Sequence, residues 1–477
     1  MKNLNELKDS VKDSLAIVEK KPDVKEAEIF ASTAEFSLMR ICFATNVPSN
    51  CIEEPKSDAS FGISARIAFK DGSIGFGKSD SALDRKAASA AYEKARKNRV
   101  FDSDFKSLPS PGEKSGAKVF SDKKIFSMQP EKAVDLAYEC LSGALDYLSE
   151  KGAKDNANIT GELEFGSERI AVANSNGVFG FDEGSSAFAS LTTILEGNED
   201  VAGTWMDCSL SLKRLDAYGV GRTSAEKAFL LKGGSRINSG SYDVVFGSLA
   251  FADLIYSRLA LNLDALDYSS TPYADDLGKK IAVDSLDISD DGNFKDAMGS
   301  CRITDEGLAA GKTDLVKEGT LVDFISNDYY AKKFSKLKKF APKNGFRAGY
   351  SSEPGIGFTN IAVHKGGFSA EELVSEIKNG IYVGRIWYTY PLNGLSSADF
   401  TSTIRGDSFL IENGRMTKPL VPNTLRINDN FSRILQGISA IGNLQKQVLA
   451  WGESHTVITP EIAVRGVRVE RIAEGLY

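Results

Sequence analysis

Short turn signals between apolar stretches constrain this chain more than any other feature of its sequence. Glycine accepts a positive φ, and asparagine and aspartate tolerate one, so Asn-Gly and Asp-Gly pairs favour tight reversals. Four such pairs are Asp71-Gly72, Asn176-Gly177, Asn393-Gly394 and Asn413-Gly414. Residues 60–69 and 74–76, which flank the first pair, are rich in apolar side chains suited to strands. The pattern predicts antiparallel hairpins in both halves of the chain.

Helical patterns accompany the hairpins in the first half. Residues 1–21 place apolar side chains at helical spacing among charges, which indicates an amphipathic helix rather than a signal peptide. Residues 81–98 and 224–232 contain alanine, and residues 130–151 begin with proline, which is favoured in a first helical turn. We therefore predict a helix over each of these ranges. A serine at 79 or 81 is the predicted cap of the helix over 81–98.

A glycine- and serine-rich stretch at 233–241 is the best candidate for a domain boundary. A chain of 477 residues is too long for one ordinary core, so we expect domains at 1–233 and 234–477. The second is mainly β, with helices predicted at 249–264 and 369–379. The predicted class is α+β: an N-terminal antiparallel sheet with long helices, then a mainly-β domain resembling a barrel or sandwich.

Composition excludes some classes of partner. The formal charge is −7, which gives no basic footprint for nucleic acid. No apolar run approaches the roughly 20 residues of a membrane span. The five cysteines form no C-x-x-C pair, which is typical of reduced thiols in the cytoplasm. We therefore expect a cytoplasmic protein without nucleic-acid or membrane partners.

Two motifs that suggest a ligand site have simpler interpretations. The stretch from Gly307 to Thr313 resembles a phosphate-binding loop, but only three residues separate its glycines, where that loop needs four. Adjacent carboxylates such as Asp305 and Glu306 point to opposite faces of a strand. For these pairs, and for Asp290 beside its acidic neighbour, turn and surface roles are favoured.

The chain has only two histidines, His364 and His455. Either could pair with a serine, or with a cysteine such as Cys301, in nucleophilic catalysis. Nothing in the spacing supports such a pair, and a hydrogen-bonded structural role is favoured for each histidine.

An aromatic run offers a candidate binding surface. Trp387, Tyr388 and the following turn at Asn393 could line a peptide cleft, because aromatic side chains supply a large contact area with a polar tip. A strand packed at a domain or subunit interface explains the run equally well.

Several short segments keep a fixed order along most of the chain. They are YDVVF (242–246), ITDEG (303–307), GFR (345–347), GFTN (357–360), IKNGIYV (377–383) and LIENGR (410–415), with GISAR (62–66) and NSNG (174–177) in the first half. This ordered set resembles the TldD/PmbA family, peptidases once called modulators of DNA gyrase.

The resemblance locates a departure from the family pattern. Active members carry HExxxH on the helix after the 242–246 strand, with a cysteine near the C-terminus as a further metal ligand. Here Tyr256 and Leu261 stand at the histidine positions and Ser257 at the glutamate position, and residues 445–453 contain no cysteine. Arg258 adds a positive charge that disfavours a cation.

That departure is similar to the PmbA (TldE-like) branch. The resemblance implies that this chain has no cofactor of its own and pairs with a TldD-like catalytic subunit that holds zinc. The implied substrates are short or unfolded peptides, and Arg258, Trp387, Tyr388 and Asn393 are candidates for substrate or interface contact. Two alternatives stay open: a stand-alone homodimeric peptide-binding or scaffold protein, and an independent hydrolase using Cys301, His364 or His455.

Overall fold

The computed structural model describes residues 2–47, 51–53, 55–113, 115–116, 120–197, 200–450 and 455–472. Residues 451–453, the last three of the 445–453 segment that contains no cysteine, lie outside these ranges. Among the described helices, none is both long enough and apolar enough to cross a membrane.

Seven strands of the described chain form one antiparallel sheet in the order β4-β3-β2-β1-β5-β6-β7. The strands are β1 (Val24–Ala44), β2 (Lys56–Phe69), β3 (Ser73–Ser79), β4 (Val100–Phe101), β5 (Ala157–Asn174), β6 (Phe179–Leu195) and β7 (Val201–Ser209). The predicted Asp71-Gly72 turn joins β2 to β3, and Gly72 has the positive φ that such a turn requires.

Helices cover one face of this sheet and leave the other face to the C-terminal half. They are α1 (Leu4–Val18), α2 (Arg85–Lys97), α3 (Lys123–Phe126), α4 (Pro130–Glu150) and α5 (Ala217–Leu230). Along β5, Leu163 and Phe165 face α4 and α5, so the residues between them point to the opposite side. The α2 helix is capped by Asp84, which accepts from two backbone amides, so the predicted serine cap is wrong.

The C-terminal half contains a sheet that closes on itself. In it β15 (Asn379–Pro391) pairs with both β8 (Gly240–Phe246) and β16 (Asp399–Glu412), and β18 (Leu425–Asn430) and β22 (Ile462–Arg471) complete the ring. The hairpin strand β17 (Arg415–Pro419) and β19 (Ile438–Ile441) extend it.

A second sheet packs beside the closed one. Its order is β11-β10-β9-β14-β21-β20, and β12 and β13 form a separate small hairpin. These strands are β9 (Ile288–Asp291), β10 (Lys312–Lys317), β11 (Thr320–Leu321), β12 (Gly345–Phe346), β13 (Gly355–Ile356), β14 (Asn360–Val363), β20 (Lys446–Leu449) and β21 (Thr456–Thr459). The helices of this half are α6 (Ser248–Arg258), α7 (Leu263–Asp267), α8 (Asp328–Lys333), α9 (Ala370–Ser375) and α10 (Phe431–Gln436).

The predicted fold class is confirmed: a helix-covered antiparallel sheet precedes a mainly-β region with a barrel-like closed sheet. The division at 233/234, which falls between α5 and β8, stays a prediction. The single helix predicted over 249–264 is wrong. It ends at Arg258, and Ala260 has a φ of 43°, which no α-helix accommodates, before α7 begins.

A buried ionic cluster joins the two halves. The Arg66 guanidinium on β2 lies 2.9 Å from Glu28 on β1 and 3.4 Å from Glu306 in the C-terminal half. Arg347 donates to the other Glu28 oxygen at 2.7 Å. The two glutamate side chains are 0% exposed, so each charge depends on its partners rather than on water.

We expect Glu28→Gln to lower the free energy of unfolding by about 3–5 kcal/mol, because it leaves two buried guanidinium groups without their shared carboxylate. The measurement is urea denaturation followed by circular dichroism, with the exposed Glu131→Gln on α4 as the matched control. Equal stability of the two variants would contradict the role given to the cluster.

The cluster also predicts a pH dependence. Burial raises the pKa of Glu306 from its ordinary 4.5 to about 7, and the charge of Arg66 offsets this only in part. The folded protein therefore holds a proton on Glu306 where the unfolded chain has released it. The stability linked to this group is complete below pH 4.5 and is lost as the pH rises through about 7.

Removing the carboxyl group of Glu306 tests the direction of this pH dependence of stability. We expect the free energy of unfolding of Glu306→Gln to fall less between pH 4.5 and 7 than that of the unchanged protein. Urea titrations at a series of pH values measure the difference. An identical pH slope in both proteins would show that Glu306 does not titrate in this window.

Candidate functional site

Two adjoining cavities lie where the uncovered face of the N-terminal sheet meets the C-terminal half. Their volumes are about 310 and 940 Å³, and Met298 lines both. We call them the interdomain cavities. Side chains that the two halves contribute include Glu162, Glu164, Glu168, Asp182, Phe188, Cys301, Asp305, Phe346, Arg347, Arg385 and His455.

The N-terminal wall is acidic because of the strand period. Glu162, Glu164 and Glu168 are an even number of residues apart on β5, so all three project from the face opposite the helices. Burial raises the pKa of Glu164 above its ordinary value. Within the larger cavity, Phe36 and Phe188 place apolar surface beside this row.

Glu168 is the most perturbed carboxyl of this wall. Enclosure by the protein, followed by the charge of Asp305, raises its pKa to about 8. The Glu168 side chain lines the smaller cavity and stays exposed to solvent.

The C-terminal wall carries a second perturbed carboxyl. Burial raises the pKa of Asp305 to about 6, although Asp305 accepts a hydrogen bond from the Arg347 amide at 2.7 Å. Beside it, Arg302 donates from its backbone and from Nε to the two oxygens of Asp182, each at 2.7 Å. These contacts fix the wall of one half against the wall of the other.

A glycine pair allows this close approach. A Cβ added to Gly180 on β6 would lie 2.9 Å from the Gly307 Cα and 2.8 Å from the Ile303 side chain. Gly307 itself has a φ of 78°, which glycine adopts without strain. The turn that looked like part of a phosphate-binding loop therefore serves as a packing contact between the halves.

The structure brings Tyr256 and His455 together at the rim of the smaller cavity. The Tyr256 hydroxyl lies 3.0 Å from the His455 Nδ1, and the two rings stack with centroids 5.4 Å apart. Tyr256 comes from the last turn of α6, and His455 directly precedes β21. This contact joins α6 to the residue that precedes β21, and the sequence spacing alone does not reveal it.

The other members of the HExxxH window do not converge with Tyr256. Ser257 is exposed, and Leu261 is fully buried in the core beyond the end of α6. Arg258 is buried and donates to the Ser397 carbonyl at 2.5 Å, so it holds a surface loop. Burial lowers the pKa of Arg258, and the carboxylate of Asp399 opposes that effect.

The residues at this position do not fit a zinc ion. Zinc sites use three or four sulfur, imidazole or carboxylate ligands, whereas the window supplies a phenol, an exposed hydroxyl and an aliphatic side chain. His455 is the one ring nitrogen nearby, and Tyr256 already contacts its Nδ1. Throughout the described ranges, no group of three or more His, Cys, Asp or Glu side chains is arranged to hold a metal.

The aromatic candidates lie on the surface at the end of β15. Trp387 and Tyr388 stack with centroids 4.5 Å apart, and Tyr388 stacks in turn on Tyr390 at 5.7 Å. Tyr388 has a φ of 55°, an uncommon conformation for a bulky residue. Asn393 donates to Asp399 at 3.0 Å in the following turn. None of these residues lines the interdomain cavities, and their predicted contact with a substrate or a subunit interface stays a prediction.

The candidates for nucleophilic catalysis are separated. His364 contacts the buried Ser289 hydroxyl at 3.1 Å, away from the cavities. Cys301 lines the smaller cavity, but burial, with Asp182 and Asp305 nearby, raises the pKa of its thiol well above the ordinary value. A protonated thiol is a poor nucleophile, so the arrangement disfavours an independent cysteine hydrolase.

The sequence pattern alone does not reveal the buried acidic residues in and near the walls. The surface role predicted for Glu306 and Asp290 is wrong, because both are 0% exposed, and Asp305 lines the smaller cavity. Asp290 accepts from Asn344 and Thr359, and burial raises its pKa to about 7. The even spacing of the glutamates on β5 was the one available signal for the acidic wall.

Comparisons with known proteins agree with this architecture. A protein named Metalloprotease from Methanothermobacter thermautotrophicus is 26% identical over 234 residues, 49% of each chain. The Metalloprotease TldD homolog of Buchnera aphidicola subsp. Acyrthosiphon pisum is 25% identical over 305 residues, 60% of each chain. The matches thus span about half and three fifths of these curated relatives.

A solved structure shares the whole fold. The crystal structure of TldE from Thermococcus kodakarensis superposes with a TM-score of 0.84 at 23% identity, covering 97% of this chain and 100% of that one. Residues 123–232 match the PmbA/TldA metallopeptidase central domain, and residues 239–471 match the PmbA/TldA metallopeptidase C-terminal domain. Because the two family-domain matches together cover more than half of this chain, it belongs to the PmbA/TldD metallopeptidase family.

Proposed function

We propose that this chain is the non-catalytic, TldE-like subunit of a two-subunit metallopeptidase. A TldD-like partner supplies the zinc and the reaction, and this chain supplies one wall of the chamber that receives the peptide. The proposal rests on the residues at the HExxxH positions. Leu261 is buried past the end of α6, and the Tyr256 hydroxyl contacts His455.

The rest of the architecture supports a binding role. The interdomain cavities combine an acidic wall with apolar side chains such as Phe188 and Phe346, a composition suited to extended peptides. A narrow cleft admits short or unfolded chains and excludes folded proteins. The structure compared above is of a protein named TldE, which supports assignment to that branch.

Metal content and activity test the proposal in the isolated chain. We expect the purified protein, loaded with zinc and then dialysed, to retain well under one zinc per chain and to cleave no unfolded peptide. A TldD-like subunit from the same organism, treated identically, is the positive control for both assays. Stoichiometric zinc together with peptide cleavage by this chain alone would refute the non-catalytic role.

The two alternatives give different results in the same assays. An independent hydrolase would cleave peptides in the presence of a chelator and lose that activity in Cys301→Ala or His455→Ala. A stand-alone homodimer would show no association with the TldD-like subunit in size-exclusion chromatography. Either result would replace the proposed role.

The acidic wall predicts a charge preference in the assembled peptidase. We expect Glu162→Gln/Glu164→Gln to lower kcat/KM for lysine-rich peptides about tenfold at low salt, because two cavity carboxylates no longer attract the substrate. Neutral peptides are expected to change little. The matched control is Glu131→Gln/Glu139→Gln on the exposed face of α4.

The ionic strength tests whether the effect on basic peptides is electrostatic. The effect on basic peptides should shrink as the ionic strength rises, because salt screens the wall. If the cavity and control variants behave alike with basic peptides at low salt, substrates do not pass this wall.

A further inference from the structure

The larger interdomain cavity carries a positive charge as well as its acidic row. Its volume is about 940 Å³, within the range of sites for small organic ligands. Strands of the N-terminal sheet form one side, and Met298, Arg385, Leu449 and Ala450 complete the described lining. Arg385, on β15, is the single cationic side chain among the described residues that line this cavity.

Arg385 has no carboxylate partner within the described part of the chain. One of its terminal nitrogens donates to the Thr204 hydroxyl on β7, and no described carboxylate lies within ion-pair distance of it. A guanidinium has five N–H donors, so a single hydroxyl acceptor leaves most of them available. The Arg385 side chain is partly exposed and lines the cavity, where a ligand can reach these donors.

The surroundings of Arg385 disfavour its positive charge. Burial lowers the pKa of Arg385, and the nearby guanidinium of Arg405 lowers it further. The carboxylate of Asp253 on α6 opposes these effects only in part. Because a guanidinium stays protonated at neutral pH, an anion that contacts Arg385 offsets the cost of holding the charge there.

Apolar side chains share the cavity with the charged groups. Phe36 is 40% exposed, and Phe188, Met206 and Met298 each keep part of their surface accessible. A cavity with an acidic row, an apolar middle and one guanidinium suits a ligand that is positive at one end, negative at the other and partly apolar between them. A short peptide has this distribution of charge and apolar surface.

The strand register sets the distance between the two charged ends. Glu162 on β5 pairs with Ser190 on β6. Two residues along β6, Thr192 pairs with Thr204, which accepts from Arg385. Two strand spacings across the sheet and two residues along it separate the Glu162 and Thr204 Cα atoms by about 12 Å. An extended peptide covers about 3.3–3.6 Å per residue, so three or four residues span this distance.

We propose that Arg385 binds the C-terminal carboxylate of a short peptide whose positively charged end faces Glu162 and Glu164. A guanidinium and a carboxylate form two parallel N–H···O bonds, which fix both the position and the direction of the bound chain. The inference rests on the proposed peptide-binding role of this subunit and adds the ligand class, which is short peptides with a free C-terminal carboxylate.

Isothermal titration calorimetry of the isolated chain tests the inference, because every residue named for the site belongs to this chain. The probe is the tripeptide lysyl-phenylalanyl-alanine with a free C-terminal carboxylate, and the comparison is the same tripeptide ending in an amide. We expect the dissociation constant of the acid to be about tenfold lower than that of the amide. Lysyl-glutamyl-alanine amide distinguishes a C-terminal carboxylate from an acidic side chain.

Substitution of Arg385 should remove the preference for the acid. In Arg385→Gln we expect the acid and the amide to have equal dissociation constants. Arg385→Lys should keep part of the difference, since an ammonium retains the charge but not the paired geometry. The matched control is Arg426→Gln, a partly exposed arginine on β18 outside the cavity lining, which should keep the full difference. Circular dichroism checks folding, and Arg385→Lys carries the test if Arg385→Gln unfolds.

A preference for the acid that depends on Arg385 supports the inference. It is overturned if the acid does not bind saturably to the unchanged protein, if the folded Arg385 variants keep the full preference, or if the glutamyl amide binds as tightly as the acid. Mass spectrometry after each titration shows whether the tripeptide is intact. Cleavage by the isolated chain would refute the proposed non-catalytic role, so that failure is distinguishable from loss of binding.

Discussion

The pairing of Glu28 with Arg66 and Arg347 is the interaction on which the arrangement of the two halves depends. Glu28 and Arg66 come from adjacent strands of the N-terminal sheet, and Arg347 and Glu306 from the C-terminal half. Buried charges are tolerated only when each meets its partner at short range. The network therefore selects one relative orientation of the halves, and that orientation shapes the interdomain cavities.

The site follows from that orientation together with the strand period. A sheet with helices on one face must turn its alternate residues toward whatever covers the other face. On β5 three of those residues are Glu162, Glu164 and Glu168, so the C-terminal half meets an acidic surface there. Glu168 and Asp305, one from each half, are then held close enough for the charge of Asp305 to raise the pKa of Glu168.

The non-catalytic role proposed above rests on the residues at the end of one helix. The helix α6, which follows the strand β8, ends at Arg258. Leu261 packs in the core, and Tyr256 stacks on His455. Burial of the apolar Leu261 side chain contributes free energy to folding, whereas burial of a histidine without a partner at that place would cost free energy.

Much of the fold was predictable from local signals. The Asp71-Gly72 turn, the proline-led helix at Pro130 and the ordered family segments all rest on neighbours in sequence. The buried ionic cluster was not predictable, because the partners of Arg66 lie 38 and 240 residues away. The end of α6 was not predictable either. The apolar pattern of the sequence continues past Arg258, whereas tertiary packing imposes a positive φ at Ala260.

The most direct test of the account is native mass spectrometry of this chain co-expressed with a TldD-like subunit from the same organism. We expect a complex with one copy of each chain, in which zinc stays with the TldD-like subunit when the complex is dissociated. Zinc retained by this chain after dissociation, or no complex at all, would contradict the division of labour proposed here.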